Sequence, residues 1–400
     1  MSPDAIIDWP LSGERISHPG CWKTIQEHYP GVWTSVTKLM MEDSGRVFTV
    51  TSVTSDTEND LALSIFTVNE GAITSLIQYW PATYPPASWR SAWVNRIPGP
   101  SGETNMTSAQ CFQLSTEQRQ RAQDAVGHAR AYLESANFSV GLAQVDHLWS
   151  GGSAQAAMDA LAAYQNPDGG FGNGLEVDIK SPASNPFAAR LAMQVLLDLR
   201  DRPESDMVTN LQAWLVANQA EDGDWHFSAE TKSGELAPWF AGWTFPSLNP
   251  ACCIVGLANR LGISTPKMRN RVERLFSEKA SLEEARTGEF YSLLPYVEYF
   301  GHGANEDRDG WLDAIAENIS NTAKTNGYAD AGHFWDHVLG GGPDIVSRIS
   351  ADVLSDFADA LLAEQEEGGN WPSPYDPAWK PFVTARACST LAHLNHNGQS

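Results

Sequence analysis

Three short segments of this chain are versions of one pattern, and they constrain the fold more than anything else in it. Gln165–Phe171 (QNPDGGF), Gln219–Trp225 (QAEDGDW) and Gln365–Trp371 (QEEGGNW) each close an apolar helical run. Each reads glutamine, an acidic turn, glycine, then an aromatic. The first two lie about one fifty-residue period apart and the third about three periods further on, the spacing of stacked two-helix units. The glycine permits a tight or left-handed turn at the helix end. The glutamine can bond a free terminal backbone group, and the aromatic can cover the helix end and staple neighbouring hairpins. At roughly fifty residues each, the remaining chain holds about six hairpins. Closing them into a ring buries both ends, which an open stack would have to cap.

Helical periodicity runs through the whole C-terminal part. Candidates are Arg119–Ser135, Ser153–Tyr164, Pro186–Leu199, Met207–Asn218, Pro250–Leu261, Lys267–Ala280, Glu289–Phe300, Asp309–Thr325, Asp344–Glu366 and Pro381–Leu394, with Gly or Pro at the breaks. Residues 1–98 read differently. Ser35–Met41, Val47–Thr54, Leu61–Asn69 and Ala72–Tyr79 are strand candidates, the last two joined by an Asn69-Glu70-Gly71 turn. Gly20–Tyr29 is a helix candidate, ended by Pro30-Gly31. Residues 99–111, within a Pro-, Gly-, Ser- and Thr-rich run, read as a linker. The expectation is a multi-domain chain: a small α+β domain over 1–98, then an all-α domain over 112–400.

Composition narrows the partners. The chain has 26 basic against 49 acidic residues, a net charge of −23. Such a surface repels nucleic acid and anionic membranes. No apolar stretch is long enough to span a bilayer, and the first residues lack a signal-peptide pattern. The five cysteines have no CxxC or Cys/His zinc spacing. A cytoplasmic protein without a cofactor is expected, acting on a small molecule.

Two resemblances follow from these residues. Trp9–Ile16 (WPLSGERI), Ile25–Gly31 (IQEHYPG) and Glu70–Arg90 (EGAITSLIQYWPATYPPASWR) resemble the SnoaL-like branch of the nuclear transport factor 2 superfamily. That implies a cone, a curved sheet wrapped around a pocket, here without the usual N-terminal helices. Asp8, Glu14 and His28 are the acid–base candidates in it, and the shortened cone makes docking or homodimer formation through this domain the alternative role. The three repeats resemble the QW-type motifs of the terpenoid cyclase and protein prenyltransferase superfamily. That implies an (α/α) toroid with a central aromatic-lined cavity, to which Phe171, Trp225, Trp239, Phe240, Trp243 and Trp335 are assigned as substrate-binding residues.

Each chemistry of that superfamily can be tested against the sequence. Protein prenyl transfer needs a zinc thiolate site that has no counterpart here. Magnesium-assisted ionisation needs an Asp-rich cluster; Asp352, Asp356 and Asp359 share a helix face, which on an acidic protein reads as a solvated surface. Protonation-initiated cyclisation needs a carboxylic acid kept neutral by burial. No DxDD motif is present, but Glu176-Val177-Asp178 precedes the helix that begins at Pro186. Asp178 is therefore the candidate acid and Glu176 its partner. His333 and His337, at i and i+4, are the weak alternative for a metal, in a region whose glycines allow only a short helix. The leading expectation is acid-initiated cyclisation or isomerisation of an apolar or prenylated molecule. The alternatives are a toroid enzyme acting on a polar or sugar-like substrate, and a non-catalytic binding module. A cyclase should place its acid in a dry pocket among tryptophans, a polar-substrate enzyme should bring Asp, Glu, His and Arg together, and a scaffold should leave the carboxylates in bulk solvent.

Overall fold

The strand and helix periods of the sequence separate into two structural units in the computed structural model, Met1–Ser108 and Ala109–Ser400. The structure describes residues 2, 5–9, 14–16, 21, 25, 34–43, 45–54, 59–69, 71–79 and 95–96 of the first unit. Of the second it describes 112–199, 202, 203, 205–301 and 308–396.

The first unit carries seven described strands: β1 (Ile6–Trp9), β2 (Glu14–Ile16), β3 (Thr34–Asp43), β4 (Arg46–Thr54), β5 (Asn59–Asn69), β6 (Ala72–Tyr79) and β7 (Asn95–Arg96). They form one mixed sheet in the order β3-β4-β5-β6-β1-β2-β7. The four long strands form an antiparallel meander, as alternation and turn residues direct. β1 lies parallel to β6, with Ile7 opposite Leu76. The short strands β1, β2 and β7 were not read in the sequence, being too brief for alternation to register. Ile7, Trp9, Ile16, Ile25 and Leu76 form the buried cluster of this unit. The helix expected over Gly20–Tyr29, His28 and the 99–111 linker lie outside the described residues, apart from Cys21 and Ile25.

The second unit is helical: α1 (Thr116–Ser135), α2 (Ser139–Ser150), α3 (Ala154–Ala162), α4 (Pro186–Asp198), α5 (Asp206–Asn218), α6 (Ala229–Ser233), α7 (Pro238–Ala241) and α8 (Leu248–Arg260). It continues with α9 (Pro266–Lys279), α10 (Leu282–Thr287), α11 (Phe290–Phe300), α12 (Arg308–Lys324), α13 (Ala331–Gly340), α14 (Gly342–Val346), α15 (Ala351–Ala363) and α16 (Lys380–His396). The runs read from the sequence did not include α2, α6, α7, α10 or α13, and one of them divides. α2 was missed because its N-cap is Phe138, which offers no capping side chain. The run Asp344–Glu366 is two helices, α14 and α15, because Ser350 caps a new start at Ala351. His333 and His337 stand on a ten-residue helix despite its glycines, because Asp330 caps its N-terminus.

Six of these helices pack as a circuit. α2 contacts α4, α4 contacts α8, α8 contacts α11, α11 contacts α13, α13 contacts α16, and α16 contacts α2 again. α1 also packs on both α15 and α16.

The three repeats explain how neighbouring hairpins lock. In each, the glutamine amide donates to the carbonyl of the glycine four residues on, at 2.9, 3.0 and 2.9 Å for Gln165, Gln219 and Gln365. Its second bond goes to another hairpin. Gln165 reaches the Met207 carbonyl at 2.9 Å, in α5, and Gln219 that of Met268 at 3.2 Å, in α9. Gln365 reaches Ala125 at 2.8 Å, in the first helix of the unit. The glycines have left-handed backbone, with φ of 90°, 99° and 84° at Gly169, Gly223 and Gly369. Each lies against a backbone carbonyl three residues beyond its glutamine's acceptor: Asn210, Arg271 and His128. A side chain there would collide with that carbonyl, so the motif requires glycine both for φ and for approach. The Trp225 and Trp371 indoles donate to the Leu215 and Leu361 carbonyls at 2.8 and 2.7 Å, covering a helix end as expected.

Candidate functional site

The loop before α4 is stitched into the unit rather than left in solvent. Glu176 folds back so that its Oε1 accepts the Asp178 backbone N–H at 3.1 Å. The Asp178 carbonyl accepts from Ala237, and Lys180 N–H donates to the Glu235 carbonyl. Glu176 is buried, and burial pushes its carboxyl up to about 8, against the pull of the Asp178 N–H. Asp178 is half-buried, and Trp379 Nε1 donates to its Oδ2 at 3.0 Å. Burial raises its pKa, and the hydrogen bonds from Trp379 and Trp239 offset part of that rise. Trp239 is 51% exposed, so one side of this carboxyl group is faced by an accessible indole.

Near Asp178 stands a directed chain of hydrogen bonds. Asp330 Oδ1 lies 2.7 Å from His333 Nδ1. The carboxylate is acceptor-only, so Nδ1 carries the hydrogen and Nε2 of the neutral ring is left as an acceptor. The Tyr375 hydroxyl, 2.6 Å from Nε2, donates to it. Tyr291 in turn donates to Tyr375. Burial lowers the His333 pKa, but the hydrogen bond and charge of Asp330 outweigh it and the net shift is upward. Burial raises both tyrosines, so they remain protonated at neutral pH. The negative charge of Asp178 bears on both hydroxyls, which ties the carboxylate to the chain. Tyr291 and Tyr375 are 51% and 38% exposed, open to an incoming molecule.

Further along the circuit helices, charges pair. Arg190 donates to Glu298 at 2.6 and 3.1 Å through two nitrogens, and Gln194 adds a bond at 3.2 Å. Arg386 Nε donates to Asp336 at 2.8 Å. Asp198 accepts from Gln144 and Ser389 at 2.6 Å each and pairs with His393 at 2.9 Å. Burial works against ionisation of Asp198, but the His393 hydrogen bond and charge prevail and its pKa falls to about 2.

Among known proteins, no family model matches the chain, and no curated protein matches it. Solved structures are similar to part of it, among them the following two. One is a putative ketosteroid isomerase from Kribbella flavida DSM 17836, with 22% identity over 25% of this chain and 73% of that one, at a TM-score of 0.20. The other is an NTF-2-like protein of unknown function from Burkholderia xenovorans LB400, with 27% identity over 24% of this chain and 76% of that one, also at 0.20.

Not every residue singled out in the sequence joins the cluster. Phe171, Trp225 and Trp335 have no exposed surface. The Trp335 indole bonds the Phe357 carbonyl at 3.1 Å, as a core tryptophan must. All three are packing residues and cannot touch a ligand. Phe240 and Trp243 pack on Phe187 and help line a cleft of about 340 Å³ with Phe227, Lys232 and Leu236. A second cleft of about 470 Å³ is lined by Asn173, Gly174, Val177, Lys180 and Pro182. Asp178 and the tyrosine pair line neither. His333 and His337 share no ligand position. His337 is buried, with Nδ1 at 3.0 Å from the Tyr328 hydroxyl and Nε2 at 3.1 Å from the Phe290 carbonyl. Burial lowers its pKa to about 4. Among the described residues no group of three His, Cys, Asp or Glu side chains is arranged for a metal. Asp359 is paired with Arg121 of α1, and Asp352 and Asp356 are exposed, so that face of α15 is a solvated surface. In the first unit Asp8 accepts from two nitrogens of Arg15, at 2.7 and 2.9 Å.

The residues unread in the sequence are Tyr291, Tyr375, Trp379, Asp330, Arg190, Glu298 and Arg386. For several the signal was present. Glu298 is the one charge in FYSLLPYVEYF, and Arg190 stands alone within PFAARLAMQV. A charge inside an otherwise apolar helix must find a partner or a function.

Proposed function

We propose that the helical unit is an (α/α) toroid enzyme performing general acid–base chemistry on a polar, hydroxyl-bearing small molecule. The toroid reading is supported by the circuit of six helix contacts and by Gln365 bonding the first hairpin as Gln165 and Gln219 bond the next one. The observation that carries the chemistry is the Tyr291–Tyr375–His333–Asp330 chain within electrostatic reach of Asp178.

In this reading a substrate proton is taken up at the Tyr291 oxygen while the hydroxyl hydrogens shift along the chain. His333 ends as an imidazolium, stabilised by Asp330. Asp178, whose pKa burial raises, is the acid that returns a proton to the leaving or rehybridising atom on the substrate. Trp239 and Trp379 offer flat faces for a ring beside that carboxyl group. The charged pairs further along the same helices favour a polar molecule over a hydrocarbon. One observation favours the cyclase reading instead: Glu176 is neutral at pH 7 and Asp178 stands between indoles, the setting in which a carboxylic acid can protonate an alkene.

A panel of sugars, sugar acids, prenyl diphosphates and squalene-type substrates, offered to the wild type and to Asp178→Asn, separates the two. Turnover of a hydroxylated substrate that is lost in the variant supports the proposal. Product from a prenyl or squalene-type substrate alone would overturn it in favour of the cyclase, and no product from any would favour the binding module.

For the first unit we infer a SnoaL-like α+β domain that serves docking or homodimerisation. The support is the edge strand β3, whose Val36, Leu39, Met40 and Met41 are 48%, 48%, 70% and 55% exposed. Sedimentation equilibrium tests it: a monomer at all concentrations would count against the homodimer.

A further inference from the structure

The loop between Trp371 and α16 reaches both halves of the site. Its ends are tied together. The Trp371 backbone N–H donates to Oγ1 of Thr384, in α16, at 3.1 Å. Lys380, which opens α16, pairs with Glu366 at 3.0 Å. Between these ties the chain is stiff. Pro372, Pro374 and Pro377 fix φ along it. Ser373 Oγ accepts the Tyr375 N–H at 3.1 Å, Asp376 Oδ1 that of Ala378 at 2.8 Å, and the Asp376 carbonyl that of Trp379 at 2.9 Å. Residues 374–378 are exposed, so little apolar burial holds the tip in place.

Two side chains of the loop hold it instead, and they engage different halves of the site. Tyr375 stands between His333 of α13 and Tyr291 of α11. Trp379 donates to Asp178, in the loop before α4, at 3.0 Å. The two residues are four positions apart on a stiffened chain, so a displacement that frees one frees the other. The Trp379 bond also has a chemical consequence. An indole Nε1–H is a donor only. Oδ2 of Asp178 is therefore the accepting oxygen, and the hydrogen of the neutral carboxyl group is left to Oδ1. Phe382 packs edge-on against the Trp379 ring, with centroids 5.4 Å apart, which fixes the direction of that N–H.

We propose that residues 372–379 are a strap across the site, with Trp379 a positioning residue that fixes which oxygen of Asp178 carries the acidic hydrogen. The proposal rests on the acid–base reading and adds how the acid and the proton chain are kept in register. Tyr375 and Trp379 arrive together, so the acid is oriented only when the chain from Tyr291 to Asp330 is complete. Groups that exchange protons with one molecule have to be held in a fixed mutual geometry, and a shared backbone segment does this for two of them. Trp239 acts on the same carboxyl group more weakly than Trp379. The charges that bear on it are Asp376 of the strap and Lys180 and Glu176 of its own loop.

Nuclear magnetic resonance of the full chain, isotope-labelled at its tryptophan indole nitrogens, tests this without a substrate. One resonance, identified by its loss in Trp379→Phe, is expected to titrate with a midpoint above the ordinary aspartate value of 3.8 and to stop titrating in Asp178→Asn. Should Trp379→Phe unfold, the change in Asp178→Asn identifies the resonance. Tyr375→Phe removes the other tether of the strap. It should speed exchange of the Trp379 indole hydrogen with water about fivefold, the worth of one hydrogen bond, and leave that of the buried Trp225 unchanged. In turnover of a hydroxylated substrate, Trp379→Phe keeps the ring face but loses the donor. There kcat should fall with KM little changed, and the basic limb of the pH profile should move upward, because the bond that favoured the carboxylate is gone. A Trp379 resonance indifferent to Asp178, or an exchange rate indifferent to Tyr375, would overturn the strap. Both resonance effects together with turnover unaffected by Asp178→Asn would refute the acid–base reading and leave the strap standing.

Discussion

Gln365 bonds the Ala125 carbonyl at 2.8 Å across almost the whole helical unit, in the same way that Gln165 bonds Met207 and Gln219 bonds Met268. One motif thus joins consecutive hairpins twice and joins the last to the first once. Removing the Gln365 side chain leaves two carbonyls without their donor, which costs about 1–3 kcal/mol. Gln365→Ala should lower unfolding stability by that amount in urea, and should speed hydrogen exchange in Thr116–Ser135 more than in Asp206–Asn218. Equal exchange in both helices would show that the closure contact carries no special weight.

Gly369→Ala should be worse than loss of the glutamine. Its Cβ would lie 2.4 Å from the His128 oxygen, at a φ of 84° that L-residues avoid. A cost of about 2–4 kcal/mol is expected, measurable by denaturant unfolding. A similar loss at Gly169 and Gly223, and little at the unobstructed Gly127, would fit the same cause.

The Arg190–Glu298 pair is buried, with 16% and 5% of the side chains exposed. Glu298→Ala strands a desolvated guanidinium and should cost about 3–5 kcal/mol. Replacing both together, as Arg190→Met with Glu298→Leu, should recover much of that loss. If the double variant is no more stable than Glu298→Ala, the pair is not an isolated structural unit and its residues serve the site.

Glu176 provides a pH test with a defined sign. Its folded pKa, about 8, stands above the ordinary carboxyl value of 4.5 because the site is desolvated. The folded state therefore holds a proton that the unfolded state has released, and stability falls as pH rises from about 4.5 to about 8. Glu176→Gln should flatten that slope and raise stability at pH 8 by a few kcal/mol, on the order of the linkage. His337 acts in the opposite range. Its pKa is lowered to about 4, so its contribution is present above 6.5 and is lost as pH falls through 4. Stability profiles of Glu176→Gln and His337→Gln between pH 4 and 9 check both; parallel curves for wild type and variants would contradict the burial of these groups.

The sequence displayed the architecture better than the chemistry, for a physical reason. Helix and repeat periods are local, so Gln165, Gln219 and Gln365 could be aligned by eye and nine of the ten helical runs read from the sequence each match one helix. α2 escaped because Phe138 gives no capping signal, and β1 because four residues cannot display a period. The site is non-local. Asp178 and Glu176 drew attention as carboxylates before a helix, but their indole and tyrosine neighbours come from residues 239, 291, 375 and 379, which no spacing connects. Aromatic content misled in the opposite direction: Phe171, Trp225 and Trp335 were large and well placed in sequence, and the core took all three. The more useful clue was a charge isolated in an apolar helix, as at Arg190 and Glu298.

The central claim is that Asp178 and the Tyr375–His333–Asp330 chain act together on a polar substrate. The measurement that tests it most directly is steady-state turnover of the hydroxylated substrates by wild type, Asp178→Asn and Tyr375→Phe, with unfolding measured in parallel. The account predicts that each variant loses about 100-fold or more in kcat while remaining folded. It also predicts that the acid limb of the wild-type pH profile, where His333 must be neutral to accept the proton relayed by Tyr375, is lost when Tyr375 is replaced. Full activity in Tyr375→Phe, or turnover confined to prenyl substrates, would contradict it.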